Sequence, residues 1–142
     1  MAIDLLSLDH LVLTVADIQR SCAFYSKVLG MQVVEFSAAN AGGGDRTTAL
    51  PRTALKFGDQ KINLHAYGNE FDPRARHPLP GSADLCFLTS TPLAAVKTHL
   101  ESLAIPILIG PVPRSGARGG LVSVYIRDPD ENLIEISNAV QD

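Results

Sequence analysis

Apolar residues recur along this chain with two different periods, and the switches between them mark out the elements. Leu11, Leu13 and Val15 alternate with other residues inside Leu8-Asp9-His10-Leu11-Val12-Leu13-Thr14-Val15, which predicts a strand with one apolar face. The period then lengthens to that of a helix over Ile18–Leu29, with Asp17 placed to cap its start and Gly30 standing where a helix ends. Three more strands are expected at residues 31–37, 49–57 and 60–67. A glycine-rich link at 41–46 joins the first two, and Gly58-Asp59 turns between the last two. Residues 68–82 contain three prolines and two glycines, show no period and read as a linker.

After the linker the same order returns. Residues 83–89 read as a strand, Thr91-Pro92 as an N-cap followed by a first-turn proline, and Leu93, Val96, Leu100 and Leu103 as one helix face. Strands at 107–112, 121–127 and 133–138 come next, the last two joined through Asp128-Pro129-Asp130-Glu131-Asn132. The pattern is βαβββ twice. It predicts an α+β domain over residues 1–142 with modules at about 7–67 and 83–138. In each module one helix covers one sheet face. Two such sheets facing each other, in one chain or across a dimer, would enclose a polar cleft.

The strand period also sorts the chemistry. His10 is out of phase with the apolar set of the first strand, and Asn63 and His65 are out of phase with Ile62, Leu64 and Ala66. In the fifth strand Asp84 and Cys86 oppose Leu85 and Phe87, and in the eighth Glu135 and Ser137 oppose Ile134 and Ile136. Imidazole, amide and carboxylate groups therefore share the face away from the helix, a set that suits a divalent metal. A solvated sheet face gives the same alternation. Such a face would spread Lys, Glu and Thr evenly, whereas two of the four histidines fall on these positions.

Composition removes several function classes. With 46% hydrophobic and 19% charged residues the chain is not of disordered type, and no apolar run approaches the ~18 residues needed to cross a bilayer. Met1-Ala2-Ile3-Asp4 lacks the basic start of a signal peptide, and a net charge of −3 gives no electrostatic reason to bind nucleic acid or an anionic membrane. Cys22 and Cys86 form no metal or redox spacing and read as buried, reduced thiols of a cytoplasmic protein. Gly42-Gly43-Gly44 lacks the Lys-Ser/Thr of a phosphate loop, residues 116–120 read as a lid or hairpin, and His99 reads as a surface residue.

Leu8-Asp9-His10-Leu11-Val12-Leu13-Thr14-Val15 with Phe24-Tyr25-Ser26-Lys27-Val28-Leu29-Gly30-Met31 resembles the opening of the vicinal oxygen chelate superfamily. Asp128-Pro129-Asp130-Glu131-Asn132-Leu133-Ile134-Glu135 resembles its closing hairpin. The middle, from Phe57 to His65 and from His77 to Ser82, is similar to the branch named glyoxalase domain-containing protein 5. The resemblance implies the glyoxalase/bleomycin resistance/dihydroxybiphenyl dioxygenase fold, a homodimer, and metal ligands from the first, fourth, fifth and eighth strands. His10 and Glu135 match the family pattern directly. Asn63 stands where glyoxalase I commonly has Glu, with His65 two residues further on, and Asp84 stands where the family usually has His.

By the same resemblance His10, His65 and Glu135 are expected to hold one divalent ion (Zn, Ni, Mn or Fe), with Asp84 available as a fourth ligand. The implied activity is a lactoylglutathione lyase-like isomerisation of a small molecule with adjacent oxygens, Glu135 moving the proton and Asp84 standing second. Arg46, Arg52, Arg114 and Arg118 are available to the carboxylates of a glutathione adduct. Two alternatives stay open. One is an Fe(II) extradiol ring-cleaving dioxygenase, for which His77 is the candidate acid–base residue. The other is a non-catalytic binding or resistance protein, a poor match to a chain with no Trp, five Phe and three Tyr.

Overall fold

Strand β1 (His10–Val15) leads into helix α1 (Ile18–Leu29), then β2 (Gln32–Ser37), β3 (Pro51–Phe57) and β4 (Gln60–Ala66). The second series is β5 (Asp84–Leu88), α2 (Leu93–Ser102), β6 (Ile109–Gly116), β7 (Gly119–Arg127) and β8 (Leu133–Ala139). These elements come from a computed structural model that describes residues 2–37 and 51–140. The expected link at 41–46, with Gly42–Gly44 and Arg46, and the first two residues of the expected third strand lie outside the described residues. The chain divides into two compact units, residues 1–79 and 80–142.

In the first unit the strand order is β1-β4-β3-β2, with β1 parallel to β4 and the other pairs antiparallel. Leu13, Val15, Leu55, Ile62 and Leu64 are buried, as are Tyr25 and Val28 from α1. Each such side chain contributes about 1.5–3 kcal/mol of transfer free energy, which is what holds α1 on that face. Asp17 caps α1 as expected, accepting the Arg20 N–H at 3.0 Å. Gly30 ends it at φ 69°, a conformation that costs a residue with a Cβ about 1–2 kcal/mol.

In the second unit the order is β5-β8-β7-β6, with β5 parallel to β8. Val124, Ile126, Ile134 and Ile136 are buried together with Leu93, Val96 and Leu100 of α2. Strand β6 starts at Ile109 and runs on to Gly116, beginning two residues later and ending four residues later than the pattern predicts. It lies at the sheet edge, where Pro111 and Pro113 are tolerated because the outer side has no ladder to complete. Residues 116–120 form the β6–β7 hairpin, with Gly116 paired to Gly119.

The cap of α2 is a correction. Pro92, not Thr91, is the N-cap residue, and no side chain on the helix's own flank caps it. The Leu93 N–H is accepted at 2.9 Å by Oδ1 of Asn138 from β8, whose Nδ2 donates to the Thr89 and Thr91 carbonyls at 2.8 and 2.9 Å. Among the described residues no helix is long and apolar enough to cross a membrane.

Candidate functional site

In the first unit the register puts His10 opposite Lys61, Val12 opposite Asn63 and Thr14 opposite His65, and Asn63 pairs in turn with Ala54 of β3. Paired residues share a face, so His10, Asn63 and His65 lie together on the side away from α1, as the alternation predicts. That face is not solvated at its centre. Thr14, Ala54, Asn63 and His65 are all buried, the last only 6% exposed. Over His65 the cover comes from the stretch read as a linker: Phe71 packs edge-on to the His65 ring at 5.5 Å and lies under the Arg52 guanidinium at 4.2 Å.

Burial holds the His65 imidazole below its ordinary pKa, the neighbouring Arg52 charge adds to that, and Glu70 opposes it. Glu70 is pulled below the usual carboxylate range chiefly by accepting the Gly68 N–H at 2.9 Å, and it also pairs with Arg74 at 3.2 Å. Oδ1 of Asn63 and Nε of Arg52 are buried without a hydrogen-bond partner.

His10 is the more exposed histidine, and its Nδ1 lies 2.7 Å from Oδ1 of Asp9. An ionised carboxylate can only accept, so in the neutral imidazole Nδ1 carries the proton and Nε2 the lone pair. Carboxylate–histidine pairing of this kind orients metal-ligating imidazoles. His10 and His65 stand four residues apart along the β1–β4 pair, roughly 13 Å by strand rise. Asn63 is two residues nearer to His10.

In the second unit Cys86 pairs with Glu135, Glu135 with Tyr125, and Ser123 with Ser137. The carboxylate of Glu135 is half-buried and held: Ser123 Oγ donates to Oε2 at 2.6 Å and Ser137 Oγ reaches it at 3.3 Å. The two serine hydroxyls are 2.6 Å apart, and Cys86 Sγ lies 3.3 Å from Ser137. One direction satisfies every group: thiol to Ser137, Ser137 to Ser123, Ser123 to Glu135. Burial pushes the Cys86 thiol up, and Glu135 and Asp84 add to that against the Ser137 hydrogen bond. The thiol therefore stays protonated at neutral pH.

Both cysteines are free, but neither is fully buried. Cys22 is intermediate and Cys86 exposed, because β5 is an edge strand whose polar face is open at that position. Asp84 is exposed two residues before it, and His77 and His99 are exposed as well. Within neither unit do three His, Cys, Asp or Glu side chains form a cluster able to hold a metal, among the described residues. Sequence reasoning missed Phe71, Glu70 and Ser123, and gave Ser137 a face but no role. The serines carried a signal: a hairpin centred on the 128–132 turn places Ser123 opposite Ser137.

A family model described as the Glyoxalase/Bleomycin resistance protein/Dioxygenase superfamily matches residues 7–136. The virulence protein STM3117 of Salmonella typhimurium is 51% identical over 133 residues, covering 94% of this chain and 84% of that protein. The glyoxalase domain-containing protein RDO1 of Mycosarcoma maydis is 48% identical over 132 residues, 93% of this chain and 68% of its own. An integron cassette protein from V. cholerae superposes with a TM-score of 0.87 at 49% identity, over 99% of this chain and 100% of that one. More distant structures share the fold alone. A lactoylglutathione lyase from Agrobacterium tumefaciens matches at 24% identity and TM-score 0.64, over 94% of this chain and 93% of that one. The fosfomycin resistance protein FosX from Listeria monocytogenes matches at 18% and 0.59, over 96% and 95%. On the family match and the extent of these similarities, the chain belongs to the glyoxalase/bleomycin resistance/dioxygenase superfamily, the vicinal oxygen chelate superfamily.

Proposed function

We propose that the chain is a divalent-metal-dependent enzyme of glyoxalase type, acting on a small molecule with adjacent oxygens. The observation that carries this reading is the condition of two donors at the ends of the family pattern. His10 has its Nδ1 tied to Asp9, and Glu135 has Oε2 tied to Ser123. Each is built as a metal ligand is built, with one atom anchored and the other left as donor. The orphaned Oδ1 of Asn63 is a further hard donor on the His10 face. These residues fit a divalent ion. The FosX neighbour was solved with Mn(II), which agrees with that chemistry.

His10, His65 and Glu135 are the ligands of this reading, with Asp84 as the fourth. Register favours Asn63 over His65 as the companion of His10, so position 63 competes for the role. The chemistry a divalent ion supplies when bound is Lewis-acid polarisation of adjacent substrate oxygens. The chain's own part is proton movement. Glu135 is the proton carrier of this reading, and exposed Asp84 is the second carboxylate. Cys86, protonated, is no nucleophile at neutral pH. The same reading takes the protein as a cytoplasmic homodimer of the glyoxalase domain-containing protein 5 branch.

Elemental analysis of purified protein tests the metal. About one divalent ion per chain is expected, lost in His10→Ala and in Glu135→Ala. His65→Ala and Asn63→Ala decide the fourth-strand ligand, since only the true ligand's loss lowers metal content. Formation of lactoylglutathione from methylglyoxal and glutathione, assayed beside ring cleavage of catechol, tests the reaction. Activity in the second assay alone would overturn the glyoxalase assignment in favour of the Fe(II) dioxygenase.

A further inference from the structure

Four arginines were available to a substrate carboxylate, and they differ in what they already do. Arg114 is engaged by the Tyr125 hydroxyl through Nε and by the Pro113 carbonyl through Nη1, both at 2.9 Å. Arg118 is exposed in the β6–β7 turn, and Arg46 lies outside the described residues. Arg52 has its guanidinium 4.2 Å over the Phe71 ring, with a buried Nε that meets no acceptor. A desolvated charged donor without a partner is costly, and native structures keep such a group where an acceptor arrives from outside.

Among the described residues none supplies that acceptor. Glu70, beside Phe71, is committed to the Gly68 N–H and to Arg74. The register of β1 to β4 puts Arg52, Lys56, Lys61, His10 and His65 on one face, and no Asp or Glu occupies any strand position of that face. In a chain of net charge −3 this is a local inversion of sign. Lys61 is itself held, its Nζ 4.0 Å over the Phe36 ring, which leaves Arg52 as the half-buried cationic fork, with its Nε buried.

We propose that Arg52 is the seat of a substrate carboxylate, gripped side-on through Nε and one Nη while Phe71 keeps the fork in plane. A planar two-oxygen anion matches a planar two-donor edge. The proposal rests on the reading of this face as the substrate side of a glyoxalase-type site. It narrows the substrate to small molecules that carry a carboxylate, and Arg52 becomes a specificity-determining residue.

The test is calorimetric titration of the full-length chain, as purified and after EDTA treatment, with lactate, malate and benzoate. Each acid is run beside its neutral amide, and inorganic phosphate is a separate arm. At least one acid should bind about tenfold or more tightly than its amide. Arg52→Gln should bring that ratio close to one, and Arg52→Lys should keep part of it, since a point charge remains where the fork is lost. A merely structural arginine would weaken acid and amide alike and leave the ratio intact. Absence of acid binding, an unchanged ratio in Arg52→Gln, or Arg52-dependent binding of phosphate alone overturns the proposal. If circular dichroism shows Arg52→Gln unfolded, Arg52→Lys and Phe71→Leu decide it by the same ratio, unchanged or reduced. Carboxylate binding in a protein that takes up no metal would sink the metal-enzyme reading and leave this one standing. Metal uptake without carboxylate discrimination would do the reverse.

Discussion

His65 is the residue where burial and charge act most clearly on one group. Its folded-state pKa lies below the ordinary histidine value because of burial and then Arg52. Between that lowered value and the unfolded pKa of about 6.5, the unfolded chain binds more protons, so stability rises with pH across this window. The contribution is fully present above about pH 6.5 and is lost as pH falls towards the folded value. Urea unfolding of EDTA-treated protein at pH 7.5 and 5.0 should therefore show a larger acid loss for the natural chain than for His65→Gln. Equal losses would mean that the imidazole is protonated without cost. Ser123→Ala belongs to the same scale. It frees the Oε2 atom of Glu135, and loss of such a supporting bond lowers metal affinity about 10- to 100-fold. Competition with a chromogenic chelator measures this.

Alternation alone put His10, Asn63 and His65 on one face and Glu135 with Ser137 on another, because the strand period leaves no choice. It could not say which of those residues are covered. His65 is buried by Phe71, from a stretch with no period to read, and Cys86 is open because β5 falls at an edge. Pairing order between distant strands decides both, and that order is not written in any local window.

At the level of elements both helices end on a left-handed residue, but the residue and the bonding differ. After α2, the Ala104 N–H bonds to the Glu101 carbonyl and the Ile105 N–H to that of Leu100, a Schellman arrangement that needs a left-handed residue between them. Ala104 sits there at φ 56°, whereas α1 uses Gly30 at φ 69°. Ala104→Gly should raise stability by about 0.5–1 kcal/mol, the left-handed penalty removed less the extra freedom of glycine in the unfolded chain. Gly30→Ala should lower it by a similar amount, and urea midpoints at constant m-value report both. A loss on Ala104→Gly would show that the Cβ makes contacts worth more than the strain. The start of α1 was legible for a local reason: Asp17 is its own cap. The start of α2 was not, because Asn138, 45 residues further on, supplies the acceptor.

Each module closes in the same way. Its first strand runs parallel to its last, and an amide side chain beside the final hairpin reaches the backbone just before the first strand. In the first unit Gln60 Nε2 donates to the Leu8 carbonyl at 2.9 Å. In the second, Oδ1 of Asn132 accepts the Ala83 N–H at 2.9 Å, while its Nδ2 donates to Asp128 at 2.8 Å. The repeat was readable as an order of elements, but these closures depend on parallel pairing and are invisible to it. They also differ in burial. The Gln60 bond is exposed, and water replaces it readily. Asn132 is fully buried, so Asn132→Ala takes an acceptor from the part-buried Ala83 N–H and a donor from the Asp128 carboxylate. Asn132→Ala should cost about 2–4 kcal/mol and Gln60→Ala less than about 1 kcal/mol in urea unfolding. The buried closure also sets β5 against β8, which places Asp84 opposite Leu133 and Cys86 opposite Glu135. Metal content in Asn132→Ala should therefore fall together with stability, whereas in Glu135→Ala it falls while the fold stays stable. Should Asn132→Ala lose stability yet keep its metal, the closure would serve the fold alone and not the placement of Glu135.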